Sequence, residues 1–233
     1  MVSVRQPAVA GTFYPAQASE LENSVAAHLN SSLAWDIAAK ALVVPHAGHI
    51  YSGAIAGTAY ASVRHLAPHI TRVVLLGPAH RVAFKGIAVP SADVHATPFG
   101  NVPVDWPGVA TALALPQVHI NDAVFENEHA LEVHLPFLQR TLGDFALVPL
   151  LVGDAKPEGV EHALQKLWGG PETLVVISTD LSHFHDYAAA QKLDASATRA
   201  IETFNVEGLN GELACGFRPL SGLLRAAQRL DLR

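Results

Sequence analysis

Residues Ala41–Gly53 read ALVVPHAGHIYSG, and this run decides the fold class. Ala41 to Val44 are apolar and partly β-branched, Pro45 stops them, and His46, Ala47, Gly48 and His49 follow. That is the grammar of a buried strand delivering a histidine to a tight turn. It recurs at Arg72–Leu76, an apolar strand followed by Gly77, Pro78, Ala79 and His80. Between the two, Gly53–Leu66 is rich in alanine, with Ile55, Ala59 and Val63 four apart. The spacing predicts a helix packed closely on the sheet, making a βαβ unit of the two strands. In open α/β sheets ligands bind beyond the carboxyl ends of strands, so both histidines stand where a site would form.

Outward from this unit, Ser3 to Pro15 reads as an extended arm, and Ser19 with Glu22 reads as a capping box opening a helix that runs through Leu21, Val25 and Leu29 to about Leu33. Gly86–Pro90 is a third strand, and the proline-broken stretch from Thr97 to Pro107 is a hairpin or long loop. Val109–Leu115 suits a short helix and Gln117–Ile120 a short strand. Leu131, Leu135, Leu138 and Leu142 mark a helix that Pro136 must kink or begin. Phe145–Val152 and Thr173–Ser178 are strands, and Pro157–Trp168, Tyr187–Phe204, Val206–Ala214 and Pro219–Leu230 are helices. With no repeat, linker or low-complexity tract, residues 1–233 read as one α/β domain, a three-layer sandwich with a central mostly parallel or mixed sheet.

Composition narrows the function. Half of the 233 residues are hydrophobic and 15% are charged, which suits a sheet buried on both faces. The net charge of -6, the pI near 6.1 and the lack of a basic run give no footprint for nucleic acid or an anionic membrane. The first residues lack the basic and apolar regions of a signal peptide, and no window reaches the length of a membrane span, so a cytoplasmic protein is expected. A single cysteine, Cys215, excludes an internal disulfide and any CxxC site. Thirteen histidines stand beside it, and the question is which of them converge.

Three strand ends carry polar residues: His46 with His49, His80, and Asp180 with His183. Cys215 lies in ELACGFRP, where Gly216 and Pro219 force a turn. Taken singly, each histidine is as well explained by a structural hydrogen bond, and Cys215 by a buried apolar position. His129 and His134 are five apart, on different helix faces, and are not the HExxH pattern, although Glu128 and His129 could still enter the cleft. His28, His65, His69, His95, His119 and His162 read as surface residues. Neither GxGxxG nor a lysine-bearing phosphate loop is present, which argues against a nucleotide cofactor. Two imidazoles and one anion suit a ferrous or cuprous ion, and a thiolate as the anion turns preference toward copper(I), iron or zinc. Asp180 or His183 would then support the ligands or move protons. A metal-free cysteine hydrolase is the chemical alternative, with Cys215 as nucleophile, His183 as base and Asp180 as its orienter, but it leaves His46 and His80 without a role.

The stretches PAVAGTFYPA, VVPHAGHIYSG, VVLLGPAHR, ENEHALEVHLPFLQ, LVPLLVG, STDLSHF and ACGFRP, in this order, resemble the Memo family, the B component of the AmmeMemoRadiSam set. The resemblance implies a fold similar to class III extradiol ring-cleavage dioxygenases and an iron or copper ion held by His46, His80 and Cys215. It places Asp180, His183 and His129, with Glu128, around the same pocket as candidate catalytic groups. A dioxygenase-like oxidoreductase acting on a small oxidisable substrate is the function it implies, with a non-catalytic copper- or iron-binding redox protein as alternative. A radical SAM protein and an AMMECR1-like protein of the same system are the implied partners. Two departures from the family pattern stand out. His49 replaces an aromatic residue and would add an imidazole beside the site, and the chain ends at Arg233, before a strand region that relatives carry.

Overall fold

The computed structural model describes residues 2–31 and 35–231 of the chain. Among them the strands are β1 (Val4–Arg5), β2 (Ala41–Val44), β3 (Arg72–Pro78), β4 (Ile87–Val89), β5 (Val94–Thr97), β6 (Gly100–Pro103), β7 (Val118–Ile120), β8 (Ala146–Val152) and β9 (Thr173–Ser178). The helices are α1 (Ala18–Asn30), α2 (His49–Ala61), α3 (Trp106–Leu113), α4 (Leu135–Leu142), α5 (Pro157–Leu167), α6 (Tyr187–Glu202) and α7 (Phe217–Arg229).

The six-stranded sheet has the order β2-β9-β3-β8-β4-β7. β2, β9, β3 and β8 run parallel, β4 turns antiparallel to β8, and β7 returns parallel to β4. β9 separates β2 from β3, so the expected βαβ unit crosses over a strand instead of joining neighbours. The reason is burial: every residue of Thr173–Ser178 is inaccessible, and only a central position covers such a run on both faces. Side chains alternate across the sheet. Val73, Leu75, Leu174 and Val176 join α1, α2 and α4 in one core, while Val74, Leu76, Val175 and Ile177 join α3, α5 and α7 in the other. The result is an α/β protein whose mixed, mostly parallel sheet has helices on both faces. A small second sheet, β1-β5-β6, contains the hairpin expected after Thr97, closed earlier and shorter than the proline spacing suggests.

Several boundaries differ from the sequence reading. α1 starts at Ala18 after Gln17, whose side chain makes no cap, so Ser19 is not a capping residue; Leu33 lies outside the described residues. α2 begins at His49, four residues before the expected Gly53, and buries Ser52, Gly53, Ala56, Gly57 and Tyr60, leaving Ile55 64% exposed. Close helix packing selects that face: a Cβ on Gly57 would stand 2.6 Å from the His28 carbonyl of α1. The helix expected around Leu131 is a 3-10 turn, Glu132–His134, running into α4, with Pro136 in the first turn where its missing N–H costs nothing. Val206–Ala214 forms only the 3-10 turn Val206–Gly208. Two histidines read as surface depart from that reading: His95 is 1% exposed, and His28 is half-buried, packing on Phe137 and His49.

Among the described residues neither ring nitrogen of His95 has a hydrogen-bond partner, and burial, then the charge of Arg5, push its pKa down to about 3. Unfolded, the imidazole titrates near its ordinary 6.5, so between these values the unfolded chain binds the extra proton and stability falls as pH falls, by about 1.4 kcal/mol per pH unit for one group. His95→Leu is therefore expected to flatten the drop in melting temperature between pH 6 and pH 4. An unchanged slope in thermal scans across that range would contradict this account.

Candidate metal centre

The carboxyl ends of β2, β9 and β3 form one rim, and the site is built there. Pro45 ends β2 and turns His46 inward, where it is 1% exposed; His80 stands two residues beyond β3 at the open side. Cys215 precedes Gly216, the cap residue of α7. The Cys215 Sγ lies 3.3 Å from His46 Nε2, and the donor atoms of His46, His80 and Cys215 all fall within 4.8 Å of one another. Asp180, just past β9, ties these segments together. Its Oδ1 accepts from the main-chain N–H groups of His46 (2.8 Å) and Ala47 (3.1 Å), its own N–H donates to Cys215 Sγ (3.3 Å), and its carbonyl accepts from the Cys215 N–H (3.3 Å). Gly216 makes the approach of Cys215 possible, since a Cβ there would stand 2.5 Å from the Ser178 carbonyl.

Each ligand-side imidazole is held by its other nitrogen. His46 Nδ1 meets Ser178 Oγ at 2.6 Å, and His80 Nδ1 meets Glu128 Oε1 at 3.0 Å. Burial, then the neighbouring His80 and His129, depress His46 well below the ordinary imidazole range and keep it neutral. Burial alone would also depress His80, but the Cys215 sulfur and the Glu128 carboxylate overturn this and hold it up at about 9. Burial would raise Glu128; the donors of His80, side chain and backbone, and of Ala130 hold it down at about 2.

A second grouping, His80, Glu128 and His129, also brings donor atoms within 4.8 Å, so both groupings could hold a metal ion. They differ in prior commitments. Glu128 already accepts from the His80 ring and main chain and from the N–H groups of His129 and Ala130, and withdrawing it toward an ion would strand buried donors. Cys215 Sγ already takes the Asp180 N–H and faces His46 Nε2, but a sulfur can keep that N–H while it meets an ion, so no buried donor is stranded there. Two ligands roughly 2.0 and 2.3 Å from one tetrahedral ion sit roughly 3.5 Å apart, close to the nitrogen–sulfur separation found. The first grouping fits a borderline or soft ion, and Glu128 fits the role of its support.

The remaining sequence candidates separate. His129 stacks on His80, with ring centroids 4.6 Å apart, and lies 5.4 Å from the His46 ring, so it lines the site; burial, foremost, lowers its pKa. His183 is on an exposed loop, its Nδ1 on the Leu181 carbonyl and its ring against the fully exposed Phe184. Among the described residues no hydrogen bond joins it to Cys215 or Asp180, so the partners of a cysteine hydrolase triad are not connected. His49 is not beside the site: it is buried against Phe137 and Tyr14 with Nε2 on the Val133 carbonyl, because α2 turns it into the core. His134 is likewise interior, and burial pushes its pKa down to about 3. The sequence reading missed Ser178 and Tyr60. A hydroxyl ending an otherwise apolar strand one residue before Thr179-Asp180 was the available signal for the first.

Gly216→Ala is expected to push Cys215 away from His46 and weaken ferrous or cuprous ion binding by about tenfold with the fold retained. Equal affinity in a titration of both proteins would show that this close approach does not position the sulfur.

Comparison with known proteins shows the family. Residues 5–231 match the family described as Memo-like protein. The chain is 37% identical over 210 residues to a MEMO1 family protein of Aquifex aeolicus, covering 88% of this chain and 77% of the relative. It is 30% identical over 241 residues to one of Methanosarcina mazei (98% and 88% covered), and 29% identical over 263 residues to Protein MEMO1 of Xenopus tropicalis (97% and 85% covered). With residues 5–231 matching the family and relatives aligned over 77% to 88% of their own length, the chain belongs to the Memo family.

Proposed function

We propose that this protein binds a single iron or copper ion through His46, His80 and Cys215 and acts as a non-haem, dioxygenase-like oxidoreductase on a small oxidisable molecule. The observation that carries the reading is the convergence of two imidazole nitrogens and one sulfur at the strand rim, within 4.8 Å of one another. The proposal includes a likeness of fold to class III extradiol dioxygenases, in keeping with the mixed sheet and the position of the site at its carboxyl rim. When bound, such an ion supplies one-electron chemistry and Lewis acidity. The chain does the rest. His46 and His80 offer neutral nitrogen once His80 gives up its proton, Glu128 holds the His80 ring, and Asp180 keeps the Cys215 segment against the His46 turn. His129 is the imidazole placed to exchange a proton with a ligand at the site, and His183 stands farther out on its exposed loop.

A cavity of about 270 Å³ adjoins Cys215, walled mainly by Pro78, Ala79, Val82, Phe84 and Phe217, with the Arg218–Asp154 ion pair also in its lining. Its size and mainly apolar walls favour a small substrate with an apolar body, and the Arg218–Asp154 pair offers it a polar contact. No helix of the described residues is long and apolar enough to cross a membrane.

The direct test is elemental analysis of protein purified without chelator. Iron or copper content is expected to fall by at least about tenfold in His46→Ala and in Cys215→Ser. Metal content untouched by both changes would remove the proposal. Alkylation of Cys215 gives an independent reading: added ferrous or cuprous ion is expected to slow it, and a rate indifferent to the ion would favour a free nucleophilic thiol instead.

A further inference from the structure

Ser178 closes β9 with its side chain wholly inaccessible, and its one hydroxyl touches three groups. Oγ lies 2.6 Å from the Ala130 carbonyl oxygen, 2.6 Å from His46 Nδ1 and 2.8 Å from His134 Nε2. A hydroxyl owns one proton and two lone pairs. Two oxygens at 2.6 Å repel unless a proton lies between them, so the proton belongs to the contact with Ala130. Both lone pairs then face ring nitrogens, and each of those nitrogens must bring a hydrogen. A neutral His46 is therefore protonated on Nδ1, with a bare Nε2 facing the Cys215 sulfur. A neutral His134 is protonated on Nε2, and its bare Nδ1 accepts from the Tyr60 hydroxyl at 2.9 Å. Tyr60 is fully buried and its hydroxyl has no other hydrogen bond among the described residues, so the chain stops there. A dead end deep in the core cannot carry protons to solvent. It can only hold orientations.

We infer that Ser178 is a positioning residue: its hydroxyl, with its proton committed to Ala130, fixes His46 in the Nδ1–H tautomer and so chooses Nε2 as the nitrogen offered at the metal centre. The consequence for metal rests on the proposed function above; the tautomer itself does not. Both imidazoles are set by one oxygen, and the Tyr60–His134 contact closes the far side.

Nitrogen spectra of the metal-free, full-length, isotope-labelled protein test the assignment directly, and titration with ferrous or cuprous ion tests its consequence. The wild type is expected to carry hydrogen on Nδ1 of His46 and on Nε2 of His134. Ser178→Ala is expected to lose the single tautomer of His46 and to bind the ion 10- to 100-fold more weakly, the range for loss of a group that orients a ligand histidine. Tyr60→Phe should leave the His46 tautomer and the ion affinity near wild type, since Ser178 still accepts from His46. A wild-type His46 protonated on Nε2 overturns the inference, as does Ser178→Ala binding as tightly as wild type, or Tyr60→Phe losing as much affinity as Ser178→Ala. Should Ser178→Ala fail to fold, the wild-type spectra decide by themselves. If the wild type takes up neither ion, the metal reading falls, and the same spectra still uphold or overturn the tautomer assignment.

Discussion

Parallel pairing of β9 between β2 and β3 is the constraint on which the site depends. Val44 pairs with Ser178 and Leu76 with Ile177, so three strands end at nearly the same height and their next residues share one rim. Asp180 then joins the β2 turn to the Cys215 segment: its carboxylate accepts from the N–H groups of His46 and Ala47, and its main chain bonds the Cys215 sulfur and N–H. Without β9 in the middle, His46 and Cys215, 169 residues apart in the chain, would have no common neighbour to bring the sulfur to 3.3 Å from the ring.

The polar groups at this rim are largely buried, and burial makes each unpaired donor or acceptor expensive. The short loop Glu128–Ala130 answers for both ligand histidines: the Glu128 carboxylate takes the His80 nitrogen, and the Ala130 carbonyl takes the Ser178 proton, leaving Ser178 to receive His46. This loop is itself fastened by the N-terminal arm. Arg5 donates to the Phe125 and Glu128 carbonyls and to Glu132, while Glu132 also accepts from the main chain of Ala8 and Val9 and from the Tyr14 hydroxyl. Phe13 of the same arm lies on the His129 ring, 4.5 Å between centroids. The arm thus acts on the site at one remove, by fixing the loop that fixes the imidazoles.

Asp180 shows how a residue type leaves its role open. A carboxylate beside a histidine in Asp180-Leu181-Ser182-His183 suggests a proton-handling pair, yet its Oδ1 is spent on main-chain donors of the β2 turn, and His183 faces its own loop. The same holds for His49. One step along the chain from the turn that presents His46, the start of α2 rotates it into the core against Phe137.

Apolar periodicity and the residues that interrupt it located the strands read at 41–44, 72–76, 145–152 and 173–178 to within two residues, along with the main helices and the class of fold, because burial of alternate or four-spaced side chains is a local property of the chain. The histidines at strand ends and the lone cysteine were legible for the same reason, as polar residues placed where apolar runs stop. Strand order, the exposed face of α2, the interior positions of His49 and His95, and the hydroxyl of Ser178 shared among three partners were not. They are set by which distant segments meet, and only packing in three dimensions decides where a buried proton can go.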